Sequence, residues 1–520
     1  MAVSHPSADV GILFFTAHPT GRLIWVTPGK RLQIFLRRTH SPFLLFQIGV
    51  STFQLNILFT EKCWSLLFQN IRERNMMRRH RFKQTTGIGG GFAGDEGKGK
   101  IITALIELFQ PRYVVRYQGG SNAGHTLVVA GREFKAHLLP SGVLQPGTIN
   151  VIGTGVALNV GKLMTEVAEL LELVDLHPEL RISKYAQLVL PYHLTLDAGQ
   201  ETARGSESIG TTKQGIGPFY ETVAARTGIQ VGSLNNPTHL RKQVRRTVEY
   251  ANARLKTINA EPISEDQVME ELDGVKTWIQ PFVCDVEETL ATAQALGESM
   301  LFEAQLGVIR DVVYGQHPNV TSSHPSLRHI GTVTGIEPED RIMVLKAYSS
   351  MVGTGVLGTA IESDELTEIL RTKGGNKGEY GATTGRARDL AWIDLPAAKL
   401  GVRYHGATEV ALTCLDVWGD IGIPELKICI DYTLNGKSLG RYPDAWEVEE
   451  AKPVFETHPC WNMSRAEMNE IRSFEDLPKE AQSYVRRIEE YLRIPVGLVS
   501  VGPAADQTID LLSDVPVVFQ

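Results

Sequence analysis

Cysteine is scarce and scattered. Five occur in 520 residues (Cys63, Cys284, Cys414, Cys429 and Cys460), and no two form a CxxC pair. That excludes a disulfide framework and the common zinc spacings, and it fits free thiols in a reducing compartment. The chain also lacks an unbroken apolar run of the ~20 residues that a spanning helix needs. Its nearest approach, residues 43–59, is interrupted by Gln47, Gln54 and Asn56. No internal repeat, low-complexity tract or Pro/Ser-rich linker divides residues 85–520. Acidic residues are rare only at the start: residues 1–83 hold 12 Lys/Arg against 3 Asp/Glu, a charge of +9. With −7 for the whole chain, the remainder carries −16, which argues against a general nucleic-acid binder.

What is present reads as an ordinary globular chain, 42% hydrophobic and 21% charged. Residues 1–83 form an N-terminal extension, expected to be poorly ordered, and residues 84–520 form the main domain. Three readings of the extension stay open. It is basic and acid-poor like a transit peptide, it is apolar enough to suggest an anchor, or it lies upstream of a native start at Met76 or Met77.

The organising stretch is Gly89-Gly90-Gly91-Phe92-Ala93-Gly94-Asp95-Glu96-Gly97-Lys98-Gly99-Lys100. Its glycines let backbone N–H groups approach an anion. Residues 101–109 then continue at helical spacing, so a helix N-terminus faces the same anion. This is not a Walker A loop, because Gly99 stands where Ser/Thr belongs. Asp95 and Glu96 repel a polyphosphate unless they bind metal or move protons; Asp95 alone also reads as a helix N-cap.

Strands are predicted at residues 113–117, 149–153, 188–190, 346–350, 411–415 and 498–501. Helices are predicted at 162–173 and, as a polar peripheral region, over 238–272. Ala481, Tyr484, Val485, Ile488 and Leu492 form the apolar stripe of a C-terminal helix. The alternation predicts an α/β fold with a large, mostly parallel central sheet flanked by helices. The strand before the glycine loop, Thr85-Thr86-Gly87-Ile88-Gly89, is a poor one, without the β-branched run of a buried parallel strand.

Gly-Asp-Glu-Gly-Lys-Gly-Lys resembles the signature of the adenylosuccinate synthetases. Gly119-Gly120-Ser121-Asn122-Ala123-Gly124-His125-Thr126 is similar to that family's second motif. Ile209-Gly210-Thr211-Thr212 is similar to the third, and Gly381-Ala382-Thr383-Thr384-Gly385-Arg386 to the fourth. The resemblance runs from about Thr85 to about Leu512. It implies a P-loop-like GTP-binding ligase that joins IMP and L-aspartate, with Mg²⁺, as a cytoplasmic homodimer; organellar targeting by residues 1–83 is the alternative.

The resemblance also implies roles. Asp95 is the base on IMP and, with the Gly124 carbonyl, a Mg²⁺ ligand. His125 is the acid at the transferred phosphoryl group. GTP contacts fall on Gly94, Glu96, Gly97, Lys98, Gly99, Lys100, Gly124, Thr126, Arg388, Asp416, Ser500 and Gly502. IMP contacts fall on Asp95, Lys98, Asn122, Thr211, Thr212, Gln305, Thr321 and Arg386, with Arg226 reaching across from a second subunit. Aspartate contacts fall on Thr383, Thr384 and Arg386, whose guanidinium suits a dicarboxylate.

Several positions depart from the family pattern. Phe92 and Ala93 replace Gln and Trp, Met351 replaces Arg, and Cys414 replaces the Lys of a Thr-Lys-x-Asp guanine motif that ends at Asp416. Gln305 is displaced by one residue, and Val501 replaces a Thr. These substitutions motivate two rival readings: a nucleotide-binding pseudoenzyme, or a paralogue with another purine preference.

Overall fold

The structure is a computed structural model. It describes residues 22–27, 30–38, 43–50, 53–60, 81–129, 132–174, 177–375, 378–381 and 385–512. The chain divides into two units, one over residues 1–80 and the other over residues 81–519. In the first, Arg22–Thr27, Lys30–Arg38, Phe43–Val50 and Phe53–Thr60 pair antiparallel in sequence order. The apolar run at 43–59 is therefore two strands, with Gln47 in register with Asn56. No helix among the described residues is long and apolar enough to cross a membrane.

The second unit is built on an eleven-stranded sheet. In spatial order its main strands are Val283–Cys284, Glu179–Ser183, Ile149–Leu158, Tyr113–Gly119, Met300–Gly307, Thr85–Gly90, Asp340–Lys346, Glu409–Thr413, Val496–Ser500 and Thr508–Asp510. All these pairings are parallel except the last, which turns back antiparallel. The loops that leave the carboxyl ends of parallel strands are where such folds bind ligands. Here they include 91–97, 120–124, 414–416 and 501–502.

Thr85–Gly90, the strand expected to be poor, lies in the middle of the sheet and is buried throughout. Its bare glycine positions are what admit its neighbours. A Cβ at Gly89 would lie 2.8 Å from His405 Cε1, and one at Gly87 would lie 3.0 Å from Ile330 Cδ1. Hydrogen-bonded partners on both sides offset the chain entropy that glycine loses. His405 packs directly on this strand. Its Nε2–H donates to the Gly90 carbonyl (2.9 Å) and its Nδ1 accepts from Leu327 N–H (3.1 Å). Burial holds the imidazole neutral, with a pKa down to about 4.

Arg81 and Phe82 belong to this unit, although the sequence boundary leaves them in the extension. Arg81 pairs with Glu409 (2.9 Å) and Asp510 (3.1 Å), and Phe82 is buried in a core cluster. The region at 238–272 resolves into helices Pro237–Leu255 and Glu265–Ile279. It is less peripheral than expected, because Leu240, Val244, Ala251, Val268 and Leu272 join a core. The expected strand at 346–350 splits: one strand ends at Lys346, and Ser349–Met351 pairs instead with Asp389–Ala391. At 188–190 only Gln187–Leu188 pairs. The C-terminal helix, Lys479–Leu492, buries the five residues of its predicted stripe.

Candidate active site

The glycine loop is stitched from inside by Glu96. Its buried carboxylate accepts from Phe92 N–H (3.0 Å), Gly94 N–H (2.7 Å) and Lys98 Nζ (2.7 Å). This resolves the oddity of an acid in a phosphate loop. The charge is turned inward and compensated, so the Glu96 side chain does not face a nucleotide as the resemblance implies. Lys98 is likewise drawn to Glu96. Gly97, in the left-handed region at φ 85°, caps the helix Lys98–Phe109. Asp95, at φ 61°, points outward, and its Oδ2 accepts from Arg388 Nε at 3.0 Å. Arg388 also donates to Glu379 (2.7 Å), a fully buried carboxylate held by Lys346 (2.9 Å) as well. Charge pairing pulls Glu379 down to about 2, although burial alone raises it.

His125 follows the Tyr113–Gly119 strand and lies against the glycine loop's helix: a Cβ at Gly99 would be 3.3 Å from His125 Cβ. Its Nε2 is 2.9 Å from Ser141 Oγ, and the Ser141 hydroxyl donates to Glu303. A hydroxyl has one proton, so Ser141 accepts from His125 Nε2–H. Burial, with Arg116 and His137 adding positive charge, drops the His125 pKa to about 3, so the ring is neutral.

A cavity of about 300 Å³ lies where the four motifs meet. Gly94 and Asp95 line it from the first motif, Asn122 and Gly124 from the second, Gly210, Thr211 and Thr212 from the third, and Gly381 and Arg386 from the fourth; Thr321 joins them. Asn122 Oδ1 and Thr211 Oγ1 are buried there without a partner among the described residues. Arg386 Nη1 donates to Gly210 O at 3.4 Å.

Three expectations need correction or completion. Gln305 is turned away from the cavity. Its amide accepts from Gly120 N–H (2.7 Å) and donates to the carbonyls of Gly120 (2.9 Å) and Ala123 (3.1 Å). Leu306, at φ 64°, lines the cavity instead, which is the consequence of the one-residue displacement. Of the IMP contacts expected on the third motif, the Thr211 backbone N–H, like that of Gly210, is already taken by Glu201. Arg226 caps the helix Ile216–Ala225 and does not line this cavity within the chain. Thr383 and Thr384 lie outside the described residues, as does the side chain of Thr126.

Arg310 is a cavity residue that sequence reasoning missed. It donates to the carbonyls of Asn319 (2.6 Å), Thr354 (3.0 Å) and Val352 (3.0 Å). Burial lowers it to about 10. No motif flags it, but Gly355 places it beside Met351: a Cβ there would lie 3.1 Å from Met351 and 3.7 Å from Arg310 Nη1. A guanidinium thus lies next to the position where the family pattern has one.

A second cluster forms at the ends of Glu409–Thr413 and Val496–Ser500. Lys100 Nζ donates to Gln507 O (2.8 Å) and to Ser500, whose hydroxyl donates to Gly502 O (3.0 Å). Burial lowers Lys100 to about 7 against the pull of the Asp416 carboxylate. Thr413 Oγ1 donates to Glu96 O at 2.6 Å, which joins this cluster to the glycine loop.

The model of the adenylosuccinate synthetase family matches residues 88–509. The chain belongs to the adenylosuccinate synthetase family. It is 39% identical over 425 residues to the adenylosuccinate synthetase of Hamiltonella defensa, covering 80% of this chain and 95% of that one. The Desulfitobacterium hafniense synthetase is 40% identical over 421 residues, covering 80% and 96%. A fully ligated adenylosuccinate synthetase structure from Plasmodium falciparum superposes with a TM-score of 0.74 at 31% identity, covering 82% of this chain and 99% of that one. A cyanophage S-2L succinoaminodeoxyadenylate synthetase, at 17% identity and TM-score 0.50, shares the fold alone; it covers 82% and 95%. As a family member the chain is a GTP-dependent ligase of AMP biosynthesis, joining IMP and aspartate.

Proposed function

We propose that the chain forms adenylosuccinate through a 6-phosphoryl-IMP intermediate, releasing GDP and phosphate. The observation that carries this is the convergence of all four motifs on one cavity whose Asn122 and Thr211 oxygens lack partners. Buried polar atoms left unpaired are costly, so they mark where a polar ligand belongs. IMP is the ligand we place there, with Thr211, Thr212, Thr321 and Asn122 around it.

Asp95 takes the N1 proton of IMP, which raises the nucleophilicity of O6. The γ-phosphoryl group passes from GTP to O6, and the aspartate amine then displaces it as phosphate. His125 donates to the phosphoryl oxygen, which requires its ring to leave Ser141. The Asp95 carboxylate and Gly124 carbonyl suit a hard divalent cation, and both line the cavity. The described residues hold no group of three His, Cys, Asp or Glu for a metal, so the Asp95 carboxylate and the Gly124 carbonyl are the groups that would hold Mg²⁺ there. When bound, it supplies positive charge to the triphosphate. Arg388 holds only Oδ2 of Asp95, which leaves Oδ1 for either role, and Arg388 adds positive charge on the nucleotide side. Arg386, with Thr383 and Thr384, holds aspartate, and Arg226 completes the site of a partner in a homodimer.

We also propose that the catalytic unit begins at Arg81. A chain starting at Met77 keeps the Arg81 ion pairs and should melt as one unit. The compartment we assign is the cytoplasm, after the family. The deciding test is adenylosuccinate formation by the purified chain from IMP, aspartate and GTP. Nucleotide binding with no product would favour the pseudoenzyme reading.

A further inference from the structure

Part of the cavity wall is made by two loops, residues 319–322 and 352–354. They come from different places in the chain: one follows the turn Val308–Arg310, and the other follows the short strand Ser349–Met351. Arg310 joins them. Its Nη1 donates to the carbonyls of Asn319 (2.6 Å) and Thr354 (3.0 Å), and its Nη2 donates to that of Val352 (3.0 Å). The Arg310 carbonyl in turn accepts from Thr321 N–H at 2.7 Å. Thr354 extends the join to the third motif, with its hydroxyl 2.9 Å from Ile209 O and 2.7 Å from Asn319 Oδ1. A planar fork with donors in fixed directions holds carbonyls on two loops at one separation.

Met351 is buried beside this join, at the position where the family pattern has an Arg. A Cβ at Gly355 would lie 3.1 Å from Met351 Sδ and Cε and 3.7 Å from Arg310 Nη1, so both side chains end beside one point. Met and Arg share an unbranched stem, and an Arg at 351 would carry its guanidinium past the place of the Met351 methyl. We infer that Arg310 is a positioning residue of the cavity: it supplies, from another part of the chain, the guanidinium that position 351 lacks, and it fixes residues 319–322 against residues 352–354 so that Thr321 is set for the ligand. This rests on the reading of the cavity as the IMP site. Arg310 acts through the loops it holds. The change at 351 is then compensated, and it does not mark lost turnover.

The test compares Arg310→Met, Arg310→Lys and the exchange of both residues, Arg310→Met with Met351→Arg, by steady-state kinetics and by amide hydrogen exchange. Arg310→Met should raise KM for IMP about tenfold and leave kcat and KM for GTP within about threefold, because the loops bear on binding of one substrate. Amides in 319–322 and 352–354 should exchange faster. The exchanged pair should bring KM for IMP back to within about threefold of the unmodified chain and restore protection, the non-additivity expected of two residues that serve one contact. Arg310→Lys keeps the charge without the fork and should fall between. An unchanged KM for IMP in a folded Arg310→Met overturns the inference, even if its melting temperature falls. So does an exchanged pair no better than Arg310→Met alone. If Arg310→Met fails to fold, a folded exchanged pair with a near-normal KM supports the inference, and an unchanged KM in Arg310→Lys overturns it. If the unmodified chain gives no adenylosuccinate, the functional reading fails. Hydrogen exchange still tests Arg310: faster exchange confined to the two loops and reversed in the exchanged pair supports the inference, and unchanged or uniform exchange overturns it.

Discussion

The cavity and the cluster around Asp416, the base side of the proposed reading, are built in opposite ways. Around the cavity, Asn122 Oδ1 and Thr211 Oγ1 are buried without partners. At the base side, Asp416, Arg465, Lys100 and Ser500 are already bonded to one another or to backbone. A ligand entering the cavity satisfies atoms that cost stability while empty. One entering the base side must share or displace existing bonds, where the gain is a difference between two similar terms. The contrast predicts that affinity for IMP comes from filling vacancies, and that a ligand at the base side gains less per contact.

The largest effect expected on the cavity side is at the base. Asp95→Asn keeps the shape and removes proton acceptance, and kcat should fall by about a thousandfold or more, roughly 4 kcal/mol, with modest change in IMP affinity. A loss within about tenfold would rule Asp95 out. Next comes the framework beneath both sides. His405 has a folded pKa near 4, below the ordinary 6.5 of an unfolded chain. Its contribution is present above pH 6.5 and is lost as pH falls towards 4, up to about 3 kcal/mol. Acid melts of the parent should show this loss, and His405→Asn should flatten it while lowering stability at pH 7. An equal acid response in both would exclude His405 as the cause.

Asn122→Ala sharpens the contrast. It removes a vacant acceptor, so KM for IMP should rise about tenfold while the melting temperature holds or rises. A lowered melting temperature would mean that Asn122 is structural. The smallest effect is expected at position 414. Cys414→Lys restores an alkyl stem and a cation beside the base, and KM for GTP should drop by about threefold with kcat unchanged. An unchanged KM would show that Cys414 does not face the base.

Most of the fold and the four family motifs around the cavity were legible in the sequence, because local patterns carried them. The stripe of the C-terminal helix follows from spacing at 3.6 residues per turn, and the glycine loop from composition alone. Thr85–Gly90 was not legible as a central strand, since its stability comes from neighbours packed onto bare backbone. Gln305 was assigned to IMP by motif, but its amide fits the Gly119–Gly120 turn, and a one-residue shift in a strand reverses the face of every side chain. Arg310 and Arg465 carry no local signal. Each becomes meaningful only when distant segments meet, Arg310 beside Met351 and Arg465 on Asp416. Glu96 was legible as a carboxylate in a phosphate loop, but its inward orientation depends on where three N–H donors of that loop point.

The glycine strand has a genetic consequence. Every single-base change in a glycine codon that alters the residue adds a Cβ, and none of the products is smaller than alanine. At Gly89 that atom meets His405, and at Gly90 it meets the Leu306 carbonyl at 2.5 Å and Glu96 at 2.6 Å. The far end of the flexible Glu96 can shift, but the Leu306 carbonyl is main chain. A single-substitution library should therefore find no tolerated neighbour at Gly90, while the exposed face of Lys479–Leu492 accepts many. Change can reach the centre of this sheet only through paired substitutions, in which the packing partner moves first.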